Sequence, residues 1–310
     1  MNYISKEIEL FKLLIDRGHS LDSSDVTNIN NCLKNISDML LLNGTLTDCP
    51  GLIHGKMGIA IFFFHYARYT ENDLFEEYAI DLIEEIQSQI HLKLSTDYER
   101  GLSGIGVGIE YLAQNGFIHS NTDEILEDVD EKIYRTIMDE PFSKYDLFNG
   151  LSGLGRYLLY RFAGNKKNHN KKVNECLNKI LNILESLTPE SISDAEKIDI
   201  YCFLQDMSKS TTEVKKMFEQ YRHIDCIQDP NSSIFPHLGD SIMGNVIKKH
   251  LFQKYLQIQY DNKFESNNKV VSNEDNLSII KTGILNGYAG YGLSFLSSLD
   301  PKDHSWFHIM

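Results

Sequence analysis

Apolar residues recur three and four positions apart along most of the chain, and no stretch alternates apolar with polar residues between hairpin turns. Ile4, Ile8, Phe11 and Ile15 form one stripe; Val26, Ile29, Leu33, Ile36 and Leu40 form the next. The spacing returns in Ala79, Leu82, Ile83, Ile86 and Ile90, in Leu126, Val129, Ile133 and Ile137, and in Val173, Cys176, Leu177, Ile180, Leu181 and Leu184. Residues so spaced share one face of a 3.6-residue helix, so each segment predicts an amphipathic helix with a charged outer face. The pattern predicts an all-α protein.

Between these helices lie glycine clusters that run on into uniformly apolar stretches. Gly51-Leu-Ile-His-Gly-Lys-Met-Gly58 leads into Ile59, Phe62, Phe63 and Tyr66; Gly101-Leu-Ser-Gly-Ile-Gly-Val-Gly108 leads into Ile109 and Leu112. Asn149-Gly-Leu-Ser-Gly-Leu-Gly155 is the third, and Gly283-Ile-Leu-Asn-Gly-Tyr-Ala-Gly-Tyr-Gly292 the last, with a fainter copy in Leu238-Gly-Asp-Ser-Ile-Met-Gly244. Starts at 51, 101 and 150 lie 50 and 49 residues apart, the period of a helical hairpin. A hairpin cannot bury its own apolar face, but hairpins side by side can, and the uniformly apolar inner helices favour closure into a ring. The glycines then bring helix N-termini together at one end, with backbone N–H groups directed into a mouth there. The rhythm weakens after Ala163: Gly164–Lys172, Asp225–Ser233 and Asn262–Asn276 are polar, although Val214, Met217, Phe218 and Tyr221 predict a short helix. A ring needs all its hairpins, so residues 1–310 are expected to form one domain.

Composition narrows the function. Lys and Arg number 30 against 44 Asp and Glu, a formal charge of −14, which gives no footprint for nucleic acid. No apolar run approaches the ~20 residues of a membrane span, and charged residues interrupt the first eighteen positions, so no signal peptide is expected. The five cysteines are scattered without a C-x-x-C pair, which fits reduced, mostly buried thiols. Together these point to a cytoplasmic protein.

The glycine clusters, with Asp146-Leu-Phe-Asn-Gly-Leu-Ser-Gly-Leu-Gly-Arg-Tyr-Leu-Leu159, Gly287-Tyr-Ala-Gly-Tyr-Gly-Leu293 and an ending of Leu299-Asp300-Pro301 followed by Trp306, resemble the lanthionine synthetase C (LanC-like) family. The likeness covers residues 40–165 and 280–310 well and 166–279 poorly. It implies an α/α toroid, normally of seven hairpins and here shortened or eroded, with the active site at the mouth of the ring. It also implies addition of a cysteine thiol to a dehydroalanine or dehydrobutyrine in a precursor peptide, with a zinc ion holding the thiolate. The family's Trp-Cys-Tyr-Gly and Cys-His-Gly ligand motifs are absent; the nearest counterpart, Phe235-Pro-His-Leu-Gly-Asp240, puts His237 where a cysteine is expected. No resident metal is therefore expected. The family's Ala-His-Gly has no match between 166 and 230 either.

Candidate residues follow from both readings. Asp146 matches an acidic position of the family's active site and could accept a proton; it could equally cap a helix. His54 could exchange protons at a helix N-terminus or serve packing alone. Gly55, Gly104, Gly153 and Gly287 are candidates to line a peptide site, or glycines of close packing. His223, Cys226, His237 and Cys202 could form a nonstandard metal site, or be ordinary loop and core residues. The expected role is in lanthipeptide maturation: a weak cyclase or its zinc-deficient relative, with a noncatalytic scaffold for a dehydratase or transporter as the alternative. A carbohydrate-acting toroid would need a second carboxylate beside Asp146.

Overall fold

The computed structural model describes residues 21–90, 94–164, 170–188, 191–208, 238, 242–256, 281–285, 287–300 and 305–310. The helices expected at Ile4–Ile15 and Val214–Tyr221 and the polar loops at 225–233 and 262–276 lie outside the described residues. The regular elements of the described residues are all helices: α1 (Ser23–Asn43), α2 (Lys56–Thr70), α3 (Asp73–Gln89), α4 (Leu102–Gln114), the short α5 (Thr122–Ile125), α6 (Glu127–Asp139), α7 (Leu151–Gly164), α8 (Asn170–Ser186), α9 (Asp194–Ser208), α10 (Ile242–Leu251) and α11 (Tyr288–Leu299). A π-helical turn, Phe252–Leu256, extends α10, and a 3₁₀ turn covers Ser305–Ile309.

Two kinds of helix alternate, as the sequence predicts. Outer α3 buries only Ala79, Leu82, Ile83 and Ile86, and outer α6 only Val129, Ile133, Thr136 and Ile137, each a single stripe. Inner α2 buries every residue from Lys56 to Ala67, and inner α4 every residue from Leu102 to Leu112. Fully burying a phenylalanine stabilises by about 1.5–3 kcal/mol, so Phe62, Phe63 and Phe64 on α2 bind it firmly between its neighbours. Outer α1 starts on a reciprocal cap: Asp22 Oδ1 accepts the N–H groups of Ser24 and Asp25, and Asp25 Oδ2 accepts that of Asp22.

The inner helices close a ring. Helix α11 packs on α2, α2 on α4, α4 on α7 and α7 on α9. Asp206 of α9 then accepts the Tyr255 hydroxyl of the π turn at 2.5 Å, and Ser294 of α11 reaches Met243 Sδ of α10 at 3.5 Å. The fold is an α/α toroid with six inner helices among the described residues. Helix α9 lies where the sequence pattern gives no repeat: Ile198 through Leu204 include Asp199, Tyr201, Cys202 and Phe203, all buried. A helix buried on every side carries no stripe, so periodicity passes over it.

Candidate functional site

Each glycine loop is built to one rule. The first helical N–H of α2, α4, α7 and α11 is donated to the carbonyl seven residues back: Lys56 to Cys49, Leu102 to Ser95, Leu151 to Lys144 and Tyr288 to Lys281, at 2.8–3.1 Å. Gly55, Gly101 and Gly287 cap their helices with no side-chain bond, because the loop's own carbonyls satisfy the orphan donors. This corrects the expectation that these N–H groups open into the mouth. The third helical residue is glycine in all four cases, and a Cβ there would meet the carbonyl oxygen six residues back. The separations are 2.6 Å for Gly58, 2.0 Å for Gly104, 2.2 Å for Gly153 and 1.9 Å for Gly290. Only a residue without a Cβ lets the chain double back this closely. Gly104→Ala should therefore lower stability by about 1–3 kcal/mol, read from the urea midpoint; an unchanged midpoint would contradict this account of the repeat.

The loops are joined into a belt around the mouth. Ile284 N–H bonds Ile53 O, Ile53 N–H bonds Glu99 O, and the Tyr98 and Glu99 N–H groups bond Phe148 O. No glycine cluster precedes α9 in the sequence, and side chains of α9 receive the belt instead: Leu147 N–H goes to Asp199 Oδ2 at 2.8 Å and Tyr145 N–H to Glu196 Oε1 at 3.0 Å. Glu196 and Ser193 also form the box that caps α9.

The sequence candidates sit on this belt. His54, half-buried in the first loop, faces Glu99 of the second, Nε2 to Oε1 at 3.1 Å. Burial holds the imidazole below its ordinary value, with Glu99 pulling the other way, so it is neutral at pH 7. Asp146 lies in the third loop, half-buried, and its Oδ1 accepts the Asn149 N–H at 2.8 Å. His54 and Asp146 are thus two loops apart on the rim, with the loop of Glu99 between them. Gly55, Gly104, Gly153 and Gly287 are buried, the first and last at loop ends where a Cβ would meet main-chain atoms, Gly104 and Gly153 in the first helical turn where it would also meet the Cβ atoms of Leu52 and Tyr98.

Below the rim, Asp199 lines a void of about 10 Å³ with Leu147, Ser152, Arg156, Cys202, Tyr255 and Met310. Complete burial pushes its pKa up to about 8 against the pull of the Leu147 N–H. Sequence reasoning missed Asp199, Glu196 and Glu99. The two on α9 carry no glycine signal because they stand in for the glycine loop, and Glu99 differs from its repeat counterparts only in being charged. Cys202 is buried and its thiol raised well above the ordinary value by burial and by Asp199; Cys49 is half-buried and raised by burial. Cys49, Cys176 and Cys202 are free thiols. Among the described residues no three His, Cys, Asp or Glu side chains are grouped to hold a metal ion. Of the four residues of the nonstandard metal site only Cys202 is described; His223, Cys226 and His237 lie outside the described residues.

A second opening lies at the other end of the ring, where the inner helices finish. This cleft of about 440 Å³ is bounded by Tyr111 and Gln114 of α4, Leu159 and Tyr160 of α7, Asp206 of α9 and Lys254. Among the described residues no helix is long and apolar enough to cross a membrane.

The family model described as "Lanthionine synthetase C-like protein" matches residues 48–225, more than half of the chain. No curated protein sequence matches. Among solved structures the chain is similar to one titled nisin cyclase, at 13% identity and a TM-score of 0.42, covering 93% of this chain and 98% of that one. The glycine-looped ring and the extent of the family match give one conclusion: this chain belongs to the lanthionine synthetase C-like family.

Proposed function

We propose that the protein acts in the cytoplasm in the maturation of a lanthipeptide, binding a dehydrated precursor peptide at the glycine mouth and closing thioether rings slowly. The observation that carries this reading is the belt, which holds an oriented neutral imidazole and a half-open carboxylate on one rim of a ring from a cyclase-like family. The reaction makes simple demands. A cysteine S–H bond breaks, an S–Cβ bond forms on the dehydroalanine, the displaced π pair moves onto the carbonyl and returns to Cα, and a proton follows it. No other reactant is consumed.

The rim can meet those demands in part. A hydrogen bond from His54 Nε2–H to Glu99 leaves Nδ1 as the basic atom, and a neutral imidazole is matched to proton transfer near pH 7. Asp146 is the second acceptor. A free thiol with pKa ~8.5 is only a few per cent ionised at neutral pH, so without a metal to hold the thiolate, closure is slow. The alternative role, presenting the peptide to a dehydratase or transporter, needs binding alone. The carbohydrate reading loses ground: Asp199 is a carboxylate neighbour for Asp146, but a buried one, and a sugar must be open to both.

The experiment is a dehydrated precursor peptide incubated with the protein, with free thiols counted against a no-protein control. Thiol loss should be slow, exceed the control, and fall about tenfold or more in His54→Ala with peptide binding retained. Fast loss abolished in Asp146→Asn would make Asp146 the base and the protein a full cyclase. Loss equal to the control with binding intact would leave the presenting role.

A further inference from the structure

Among the described residues, segment 305–310 links the two ends of the ring. Ser305 and His308 form part of the wall of the far cleft, while Met310 reaches the void beneath the mouth beside Leu147, Ser152 and Asp199. Ring side chains hold the segment by its main chain. Arg156 Nη1 donates to His308 O at 3.2 Å and to Met310 O at 2.6 Å, and the Tyr98 hydroxyl donates to Ile309 O at 2.7 Å. Three consecutive carbonyls are thus read by donors of the wall, irrespective of the side chains they carry.

The side chains are seated separately. Trp306 Nε1 donates to Ser297 Oγ at 2.9 Å, Phe307 stacks on His250 at 4.3 Å, and Ser305 Oγ meets the Tyr111 hydroxyl at 2.7 Å. The segment is a compact 3₁₀ turn, and donors aimed at its successive main-chain oxygens, with separate seats for its side chains, hold it as a receptor holds a bound peptide turn. Arg156 and Tyr98 are themselves buried, so their donors are spared competition from water.

We propose that the ring axis is a peptide-binding channel, with Arg156 and Tyr98 as its main-chain donors, and that segment 305–310 is its resident ligand. The class of ligand is a peptide with aromatic and aliphatic side chains that folds into a 3₁₀ turn. Withdrawal of the segment joins the far cleft to the glycine mouth, so the segment also gates passage between the two ends. This deepens the peptide-binding reading above and rests on it for biological meaning, but the channel is tested independently of that reading.

The test uses the full chain with a protease site introduced between Asp300 and Ser305, cut after folding. Trp306 is the only tryptophan of the sequence, so its fluorescence reports the segment's place. A synthetic peptide Ser-Phe-Phe-His-Ile-Met, free of tryptophan, is titrated in while helicity is followed by circular dichroism. The expected result is a saturable red shift of Trp306 emission at constant helicity, and in Arg156→Gln a segment at least about tenfold more readily released, so that the cut protein is red-shifted before peptide is added, one charge-assisted bond being worth about 1.5–3 kcal/mol. Unfolding on cleavage, or no red shift at any peptide concentration, would make the segment plain core and overturn the proposal. A dehydrated precursor that fails to bind the uncut protein would sink the maturation reading while leaving this result untouched.

Discussion

Replacing Asp199 by Asn should raise the stability of the protein at neutral and alkaline pH and leave it nearly unchanged at pH 4. The folded carboxyl keeps its proton up to about pH 8, against an ordinary value of 3.8. Below pH ~4 it is protonated whether the chain is folded or not, and its contribution is fully present. Between about pH 4 and 8 the unfolded chain has released the proton and the folded chain has not, so stability falls as pH rises. The loss is at most about 1.4 kcal/mol per pH unit, several kcal/mol across the window. Asparagine keeps the oxygen that accepts the Leu147 N–H and cannot ionise. The groups acting on the site are Asp146 and Glu196, which raise the value, and Arg156, which lowers it; all three remain in the variant. Urea midpoints of both proteins from pH 4 to 9 measure the difference directly. Parallel curves would show that Asp199 is not the proton-holding group of the ring.

The opposite sign is expected for Arg161→Met. Arg161 of α7 is fully buried, its guanidinium bonded to Glu110 of α4, to Asp123 at 3.0 Å and to Asp130 of α6 at 2.6 Å. Asp130 also accepts the Tyr157 hydroxyl. One cation thus joins an inner helix to its inner neighbour and to the outer layer, against three carboxylates. Removing it leaves those carboxylates facing one another, Glu110 only 1% exposed. A buried ion pair broken on one side costs about 3–5 kcal/mol. Arg161→Lys should recover only part, since a single ammonium cannot reproduce the forked contacts. A loss under about 1 kcal/mol in chemical denaturation would mean that the network relaxes into solvent.

The ring was legible in the sequence wherever a repeat keeps both its signals. Gly51–Gly58 and Gly101–Gly108 announce a loop, the apolar runs after them an inner helix, and Ala79–Ile90 or Leu126–Ile137 an outer one. Where α9 presents carboxylates in place of a glycine loop, both signals fail together: there is no glycine cluster, and burial on all sides erases the stripe. The site divides on the same line. His54 and Asp146 lie within recognisable loops, whereas Asp199 acts as a loop carbonyl in side-chain form, and no local pattern distinguishes it from Asp194 or Asp206. The path of segment 305–310 between the two ends of the ring was invisible for a different reason. Tyr98 and Arg156 are 211 and 154 residues away from their partners Ile309 and Met310, and no periodicity spans such a distance.

The central claim is that the glycine mouth receives the dehydrated peptide, and site-directed photo-crosslinking tests it most directly. A photoreactive residue is placed at Asn149, exposed on the rim beside Asp146, or at Phe162, 39% exposed at the far cleft. The protein is irradiated with a labelled dehydrated precursor peptide, with and without an excess of unlabelled peptide. The account predicts a competable cross-link from position 149 and little from position 162. A cross-link confined to position 162 would move peptide binding to the far end of the ring and contradict it.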